Sequence, residues 1–266
     1  MSQDDLVMTL VGGPTVLIEY GGFRLLTDPT FDPPGIYHES SVRFEKITGP
    51  ALSIEQIGWL DAVLLSHDQH LDSLDKSGRE FLRTVPVVYT TKSGAERLGG
   101  GVRGLAPFES CTLKCVTGPE ILITATPARH GPIGVEAMSG EVVSFALGRS
   151  RPGDLLYVTG DTVWFDGTAE VSHRFSPEVV LMFAGAAEPR GRFHMTMGSE
   201  DALEAAHAFP KATLVAAHNE GWVHLRENQT QLAMVFDCFG LADRLKCFER
   251  GQPLSFPLPP RRQANA

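Results

Sequence analysis

Four apolar runs of this 266-residue chain end in side chains that can bind a metal ion. "LLSHDQHLD" brings His67, His70 and Asp72, "TATPARH" ends in His130, "LYVTGD" in Asp161 and "LVAAH" in His218. Imidazole nitrogen and carboxylate oxygen are donors that zinc, iron or manganese accept, and a site that leaves one position to water can activate it. A single His or Asp at a strand end is usually solvated or closes a loop. Two histidines and one aspartate within residues 67–72, with three more donors at the ends of separate apolar runs, are hard to attribute to loops alone.

Such donors meet only if strand ends converge on one rim. Residues 6–28 read as short β-rich runs split by Gly-Gly turns, an antiparallel meander. Residues 29–50 hold several prolines and glycines and read as a long loop able to cover a site. A short helical stretch near Ile54 to Ile57 follows, then a buried strand at "DAVLLS" that stops at the His/Asp cluster. Leu74, Phe81 and Leu82 stand at roughly helical spacing, so a helix is predicted to start inside the cluster.

Further strands are predicted at "VPVVYTT", "EILITATPA", "VVSFALG", "DLLYVTGD", "VVLMFAG" and "ATLVAAH", with helices at "MGSEDALEAAHAF" and "NQTQLAMVFDCFGLAD". Strands that predominate first and then alternate with helices fit sheets flanked by helices. No internal repeat or composition break marks a domain boundary. One domain is expected over residues 1–252, followed by a Pro-rich tail at 253–266, loosely ordered or packed against a neighbour.

Composition narrows the partners. With 42% hydrophobic and 21% charged residues the chain is ordinary globular material. A net charge of -9 with scattered Lys and Arg argues against nucleic acid, whose binders gather basic residues on one face. The acidic start "MSQDDLVMTL" is unlike a signal peptide and no run reaches membrane-spanning length, which points to the cytoplasm. The four cysteines lack a paired CxxC zinc pattern and read as reduced, mostly buried thiols. Gly12-Gly13 and "RLGGGVRG" lack the spacing of a nucleotide-binding loop and read as turns.

In the order of His-rich loop, lone His, Asp in a "TGDT" turn and final His, the sequence resembles the metallo-β-lactamase superfamily across most of its length. "GGPTVLIEYGGFRLLTDP" and "FHMTMGSEDALEAA" are similar to segments of the branch that includes L-ascorbate-6-phosphate lactonase and N-acyl-phosphatidylethanolamine phospholipase D. The resemblance implies an α/β fold, a four-layer αββα sandwich with its site on the rim. It implies His67, His70 and His130 around one metal, Asp72 and His218 around a second, and Asp161 between them. It also implies a catalytic role for Asp72, and a place beside the metals for His194, contacting substrate or giving a proton to the leaving group.

The family loop reads His-x-His-x-Asp-His, whereas "HDQHLDS" has one additional residue and Ser73 where the final His falls. Anchored on His67, the second histidine falls on Gln69; anchored on Asp72, it falls on His70. His70 is preferred because imidazole binds these metals better than a neutral amide, and a bulge must then absorb the extra residue. Asp72, Asp161 and His218 are left as a harder, oxygen-rich set.

The expected cofactor is one or two divalent ions, zinc first, with manganese or iron as alternatives. The expected activity is hydrolysis of a small ester, lactone, amide or phosphoester, with Asp72 orienting the attacking water. A metal-stabilised small-ligand-binding or regulatory protein without turnover is the alternative, motivated by Ser73; a nuclease is a third reading that the acidic charge opposes. A small-molecule substrate is the expected partner, with a homo-oligomer left open. Asp28 reads as a turn cap or as support for a metal-bound His, and His224 as support or surface. Trp164, Phe165, Phe193 and Trp222 read as core or pocket wall, and Arg129, Arg190 and Arg192 as candidate anion contacts. His38, His173 and His207 have no supporting context.

Overall fold

Strands β1 (Leu6–Gly12), β2 (Thr15–Tyr20) and β3 (Phe23–Thr27) form the expected meander in the computed structural model, which describes residues 5–39, 42–114 and 120–259. Two parts of the sequence reading lie wholly outside those residues, Cys115 and tail residues 260–266, and a third, the acidic N-terminus, is described only from Asp5 onward.

The stretch expected to be a long loop instead carries an antiparallel hairpin, β4 (Gly35–Glu39) and β5 (Val42–Lys46). Val42, Phe44 and Lys46 point to one buried side while Arg43 is exposed, a period of two that the surrounding prolines and glycines conceal. Then come α1 (Ile54–Ile57), β6 (Ala62–Leu64), α2 (Lys76–Phe81), β7 (Val88–Thr90), α3 (Lys92–Leu98) and β8 (Val102–Gly104). Helix α2 begins after the His/Asp cluster, not within it. Asp75 caps it, its carboxylate accepting the Gly78 N–H at 2.8 Å.

The second half runs β9 (Ser110–Lys114), β10 (Glu120–Pro127), α4 (Glu136–Ser139), β11 (Val143–Gly148), β12 (Leu156–Val158), α5 (Asp166–Arg174) and β13 (Val179–Phe183). It ends with α6 (Ser199–Ala208), β14 (Thr213–Ala217), α7 (Gln229–Cys238), β15 (Leu245–Lys246) and β16 (Pro253–Phe256). The expected tail boundary falls directly before β16, which pairs antiparallel with β1.

One sheet has the order β16-β1-β2-β3-β6-β7-β8 and the other β15-β14-β13-β12-β11-β10-β9. In each, an antiparallel meander passes into parallel strands, at β3 to β6 and at β12 to β13. The halves thus repeat a strand order that no sequence similarity announces.

Side-chain alternation builds three apolar layers. Leu64 of β6 and Leu181 and Phe183 of β13 face the centre between the sheets, with Ile18 and Phe145. Val63 and Leu65 face outward onto Ile57, Phe81 and Leu82, while Val180 and Met182 face Val171, Ala202, Leu232 and Phe236 of the other helical layer. The result is the expected αββα sandwich. The cysteines depart from expectation: Cys238 and Cys247 are exposed and Cys111 is half-buried, because they sit at helix and sheet margins. Among the described residues no helix is long and apolar enough to cross a membrane.

Candidate metal centre

The end of β6 leads through Leu65 and Ser66 to His67, the end of β12 leads to Asp161, and the end of β14 leads directly to His218. His130 lies three residues beyond β10. His218 adopts a left-handed backbone with φ +52°, a costly conformation for a non-glycine residue that surrounding structure must enforce. Its N–H donates to the Gly13 carbonyl at 2.8 Å, and Gly185 lets the chain after β13 approach closely: a β-carbon there would lie 2.1 Å from the His218 carbonyl.

Two groups form. The nearest ring nitrogens of His67, His70 and His130 lie within 4.8 Å of one another, and so do donor atoms of Asp72, Asp161 and His218. All six are buried except His70, which is partly exposed and marks the open side. His70 Nδ1 faces His67 Nε2 at 2.8 Å and His130 Nε2 at 3.1 Å. His130 Nδ1 must donate to the Met195 carbonyl at 2.8 Å, so the Nε2 of a neutral ring carries a lone pair. One Nδ1 of His70 has at most one proton to share between two neighbours, so three imidazoles converge with too few protons to satisfy each other. Burial, followed by the neighbouring histidines, holds His67 well below the usual imidazole range and brings His70 down to about 4.

In the second group, buried Asp72 Oδ1, Asp161 Oδ1 and both ring nitrogens of His218 have no hydrogen-bond partner. Burial pushes both aspartates up, but the histidines outweigh it and hold them below the usual carboxylate range, led by the His224 hydrogen bond for Asp72 and the His218 charge for Asp161. Burial pushes His218 down; Asp161 and Asp72 reverse this and bring it up to about 9. Buried lone pairs and carboxylate oxygens without protons to meet them are the donor chemistry a divalent cation requires.

The alternatives at the loop separate clearly. His70 joins the group, whereas the Gln69 amide packs against Gly140 and its Oε1 is buried without a hydrogen-bond partner. The additional residue is absorbed by a turn in which the His70 carbonyl accepts the N–H groups of Ser73 and Leu74 at 3.1 and 2.9 Å. His194 stands apart from the six donors, half-buried, with Nδ1 3.1 Å from Glu200 Oε1 and Nε2 3.8 Å from Glu188 Oε1. The next residue, Met195, holds His130.

Asp28 is no local turn cap. It is buried, and its Oδ1 accepts the Ser66 N–H at 2.6 Å, while Ser66 Oγ lies 3.0 Å from His67 Nδ1. Burial and the nearby Asp161 push its carboxyl well above the ordinary range. His224 is buried and lies 2.8 Å from Asp72 Oδ2. Ser73 lies 3.2 Å from Asp161 Oδ2.

Asp68, unremarked in the sequence, anchors the loop from outside through a two-pronged Arg97 contact at 2.6 to 3.1 Å, and Arg79 donates to the Asp68 carbonyl at 2.6 Å. Only a fold could disclose that pairing. Asp75 was findable, since Asp before "KSG" is a helix-capping signal. Trp222 is core, packed on Phe44, whereas Trp164, Phe165 and Phe193 are half-buried. Arg129 stacks on Phe165, and Arg190 and Arg192 are exposed.

Comparison with known proteins agrees with this architecture. UPF0173 protein YddR of Bacillus subtilis (strain 168) is 24% identical over 260 residues, covering 94% of this chain and 99% of its own. The crystal structure of isothiocyanate hydrolase from Delia radicum gut bacteria superposes with a TM-score of 0.79 at 24% identity, over 95% of this chain and all of the other. That of a "possible metal-dependent hydrolase" from Veillonella parvula DSM 2008 gives 0.80 at 19% identity, over 96% and 100%. The model of the beta-lactamase superfamily domain matches residues 23–219, a span that contains all six donors, and the chain belongs to that superfamily.

Proposed function

We propose that this protein is a metal-dependent hydrolase of a small ester, lactone, amide or phosphoester. The observation that carries the reading is the convergence of six donors from separate strand ends, with ring lone pairs facing each other and carboxylate oxygens lacking partners. Metal-dependent hydrolase is also the description of the Veillonella structure, and the branch resemblance adds lactones and phosphodiesters to the candidate substrates.

A divalent ion bound there supplies Lewis acidity and acidifies water. Zinc suits the three imidazoles, and manganese or iron the oxygen-rich group. The protein residues do the rest. Asp72, ionised and held at Oδ2 by His224, accepts a hydrogen bond from the attacking water and fixes its line of approach. His194, turned by Glu200, gives a proton to the leaving group.

Substrate enters on the His70 side. Exposed Arg190, whose charge reaches His70, suits an anionic or polarised group, and Ile133, 80% exposed three residues after His130, offers an apolar contact. The free thiols Cys111, Cys238 and Cys247 favour a reducing, cytoplasmic setting.

The test is turnover of a panel of esters, lactones, amides and phosphodiesters, with an isothiocyanate added for the gut-bacterial relative. Hydrolysis is expected to vanish on chelation, return with zinc, manganese or iron, and be abolished by His67→Ala or Asp161→Ala. His194→Gln is expected to lower kcat about 100-fold or more. Chelator-resistant turnover contradicts the proposal, as does metal retention without turnover of any panel member.

A further inference from the structure

We infer that Ser73 and His224 are a pair of positioning residues, each binding one oxygen of a buried aspartate so that its carboxylate is held in place for a second metal ion. The inference rests on the reading of the site as a metal centre.

Ser73 is fully buried, and its N–H is tied to the His70 carbonyl at 3.1 Å, so the turn that carries His70 also fixes Ser73. Its hydroxyl donates to Asp161 Oδ2 at 3.2 Å, since an ionised carboxylate can only accept. His224 comes from far along the chain. Its Nε2 lies 2.8 Å from Asp72 Oδ2, which by the same reasoning places a proton on Nε2.

The His224 ring is gripped edge-to-face by Phe44 of β5 at 5.2 Å and at a tilt by Trp222 at 5.9 Å. Its carbonyl accepts the Glu188 N–H at 2.9 Å. Packing and backbone together leave the imidazole little freedom to turn.

The pattern at the two aspartates is the same. Each has Oδ2 bound by a hydrogen-bond donor on the protein and Oδ1 buried without a hydrogen-bond partner. A buried carboxylate oxygen without a partner is costly; Asp161 turns that oxygen toward His218 Nε2 at 3.5 Å, whereas Asp72 turns its His224-bound Oδ2 toward the same nitrogen at 3.6 Å. One oxygen of each aspartate is thus tied to the protein, and both carboxylates are held beside His218.

This accounts for the departure at position 73. The serine supplies a hydrogen bond in place of a ligand, leaving Asp72, Asp161 and His218 as the protein donors of the second centre. Fixing carboxylate ligands by hydrogen bonds preserves affinity where a centre has one ligand fewer, because the remaining donors lose less freedom on binding.

The test is titration of chelator-stripped, full-length protein with Co²⁺, followed by visible absorption and by elemental analysis. Wild type is expected to take two ions. His224→Phe keeps the ring packing and removes the donor; Ser73→Ala removes one hydroxyl. Both are expected to bind the first ion as wild type does and the second about 10- to 100-fold more weakly, with an altered absorption step for that ion. His224→Gln, which restores an N–H donor, is expected to recover most of the affinity.

Unchanged second-ion affinity in both deletions overturns the inference, as does His224→Gln behaving like His224→Phe. If His224→Phe does not fold, Ser73→Ala alone decides by the same criterion. Wild type that takes one ion overturns the inference and leaves the hydrolase reading standing; wild type that takes none overturns both.

Discussion

His218 answers two opposed demands, since burial disfavours its charge and two aspartates favour it, and the aspartates prevail. Below about pH 9 the metal-free ring therefore holds a proton that an incoming ion must displace, whereas His70, brought down to about 4, has already lost its own. Affinity for the second ion is thus expected to strengthen about tenfold per pH unit from pH 6 to 8, a dependence that His67 and His70, both held low, do not add to the first. Metal titrations at the two pH values check this; a second-ion affinity that is the same at both contradicts it. For the metal-free fold the sign reverses: the raised His218 contributes stability that is complete below the unfolded value of about 6.5 and disappears as pH rises through about 9. At this scale the sequence was legible wherever a donor ended an apolar run, as with His67, His130, Asp161 and His218. It was not legible where function depends on a contact across the fold: Ser73 reads as a lost ligand until Asp161 is seen beside it, and His224 meets Asp72 across 152 positions.

The loop from His67 to Asp75 is held by its neighbouring elements. Asp75 caps α2 and also accepts from buried Lys46 of β5 at 3.2 Å, while Asp32 accepts the Ser77 N–H at 3.1 Å. Helix α2 thereby sits hard against the strap after β3. A β-carbon at Gly78 would lie 1.9 Å from the Pro29 carbonyl oxygen. Within a helix Gly→Ala normally stabilises by about 1 kcal/mol. Here Gly78→Ala is expected to destabilise by about 2 kcal/mol or more, because backbone must move; urea unfolding measures it, and a gain in stability would contradict the packing described. The same contacts show why the hairpin was hidden from sequence reading. Lys46 looks like a surface residue, and only the buried carboxylate of Asp75 and the Trp222 face make its strand position intelligible. The near-continuous apolar runs of β1, β10 and β13 needed no such context and could be read directly.

Across the whole molecule, two sheets with the same order of meander and parallel strands bring their strand ends to one rim. Asp28 after β3 and Asp161 after β12 occupy corresponding places in the two halves, one supporting Ser66 beneath His67 and the other among the donors. That correspondence was invisible in the sequence because it is one of topology, with different residues filling each half. The charge of -9 and the chain's apolar content set its class but not its site, and only the rim joins residues 67 to 218 into one chemical unit. The chemistry proposed for this unit begins with divalent metal held among its six donors. Elemental analysis of protein purified without added metal tests it most directly: one to two equivalents of zinc, manganese or iron per chain are expected, falling in both His67→Ala and Asp161→Ala variants that remain folded. Wild-type protein with no bound metal, and none taken up on incubation with these ions, would contradict it.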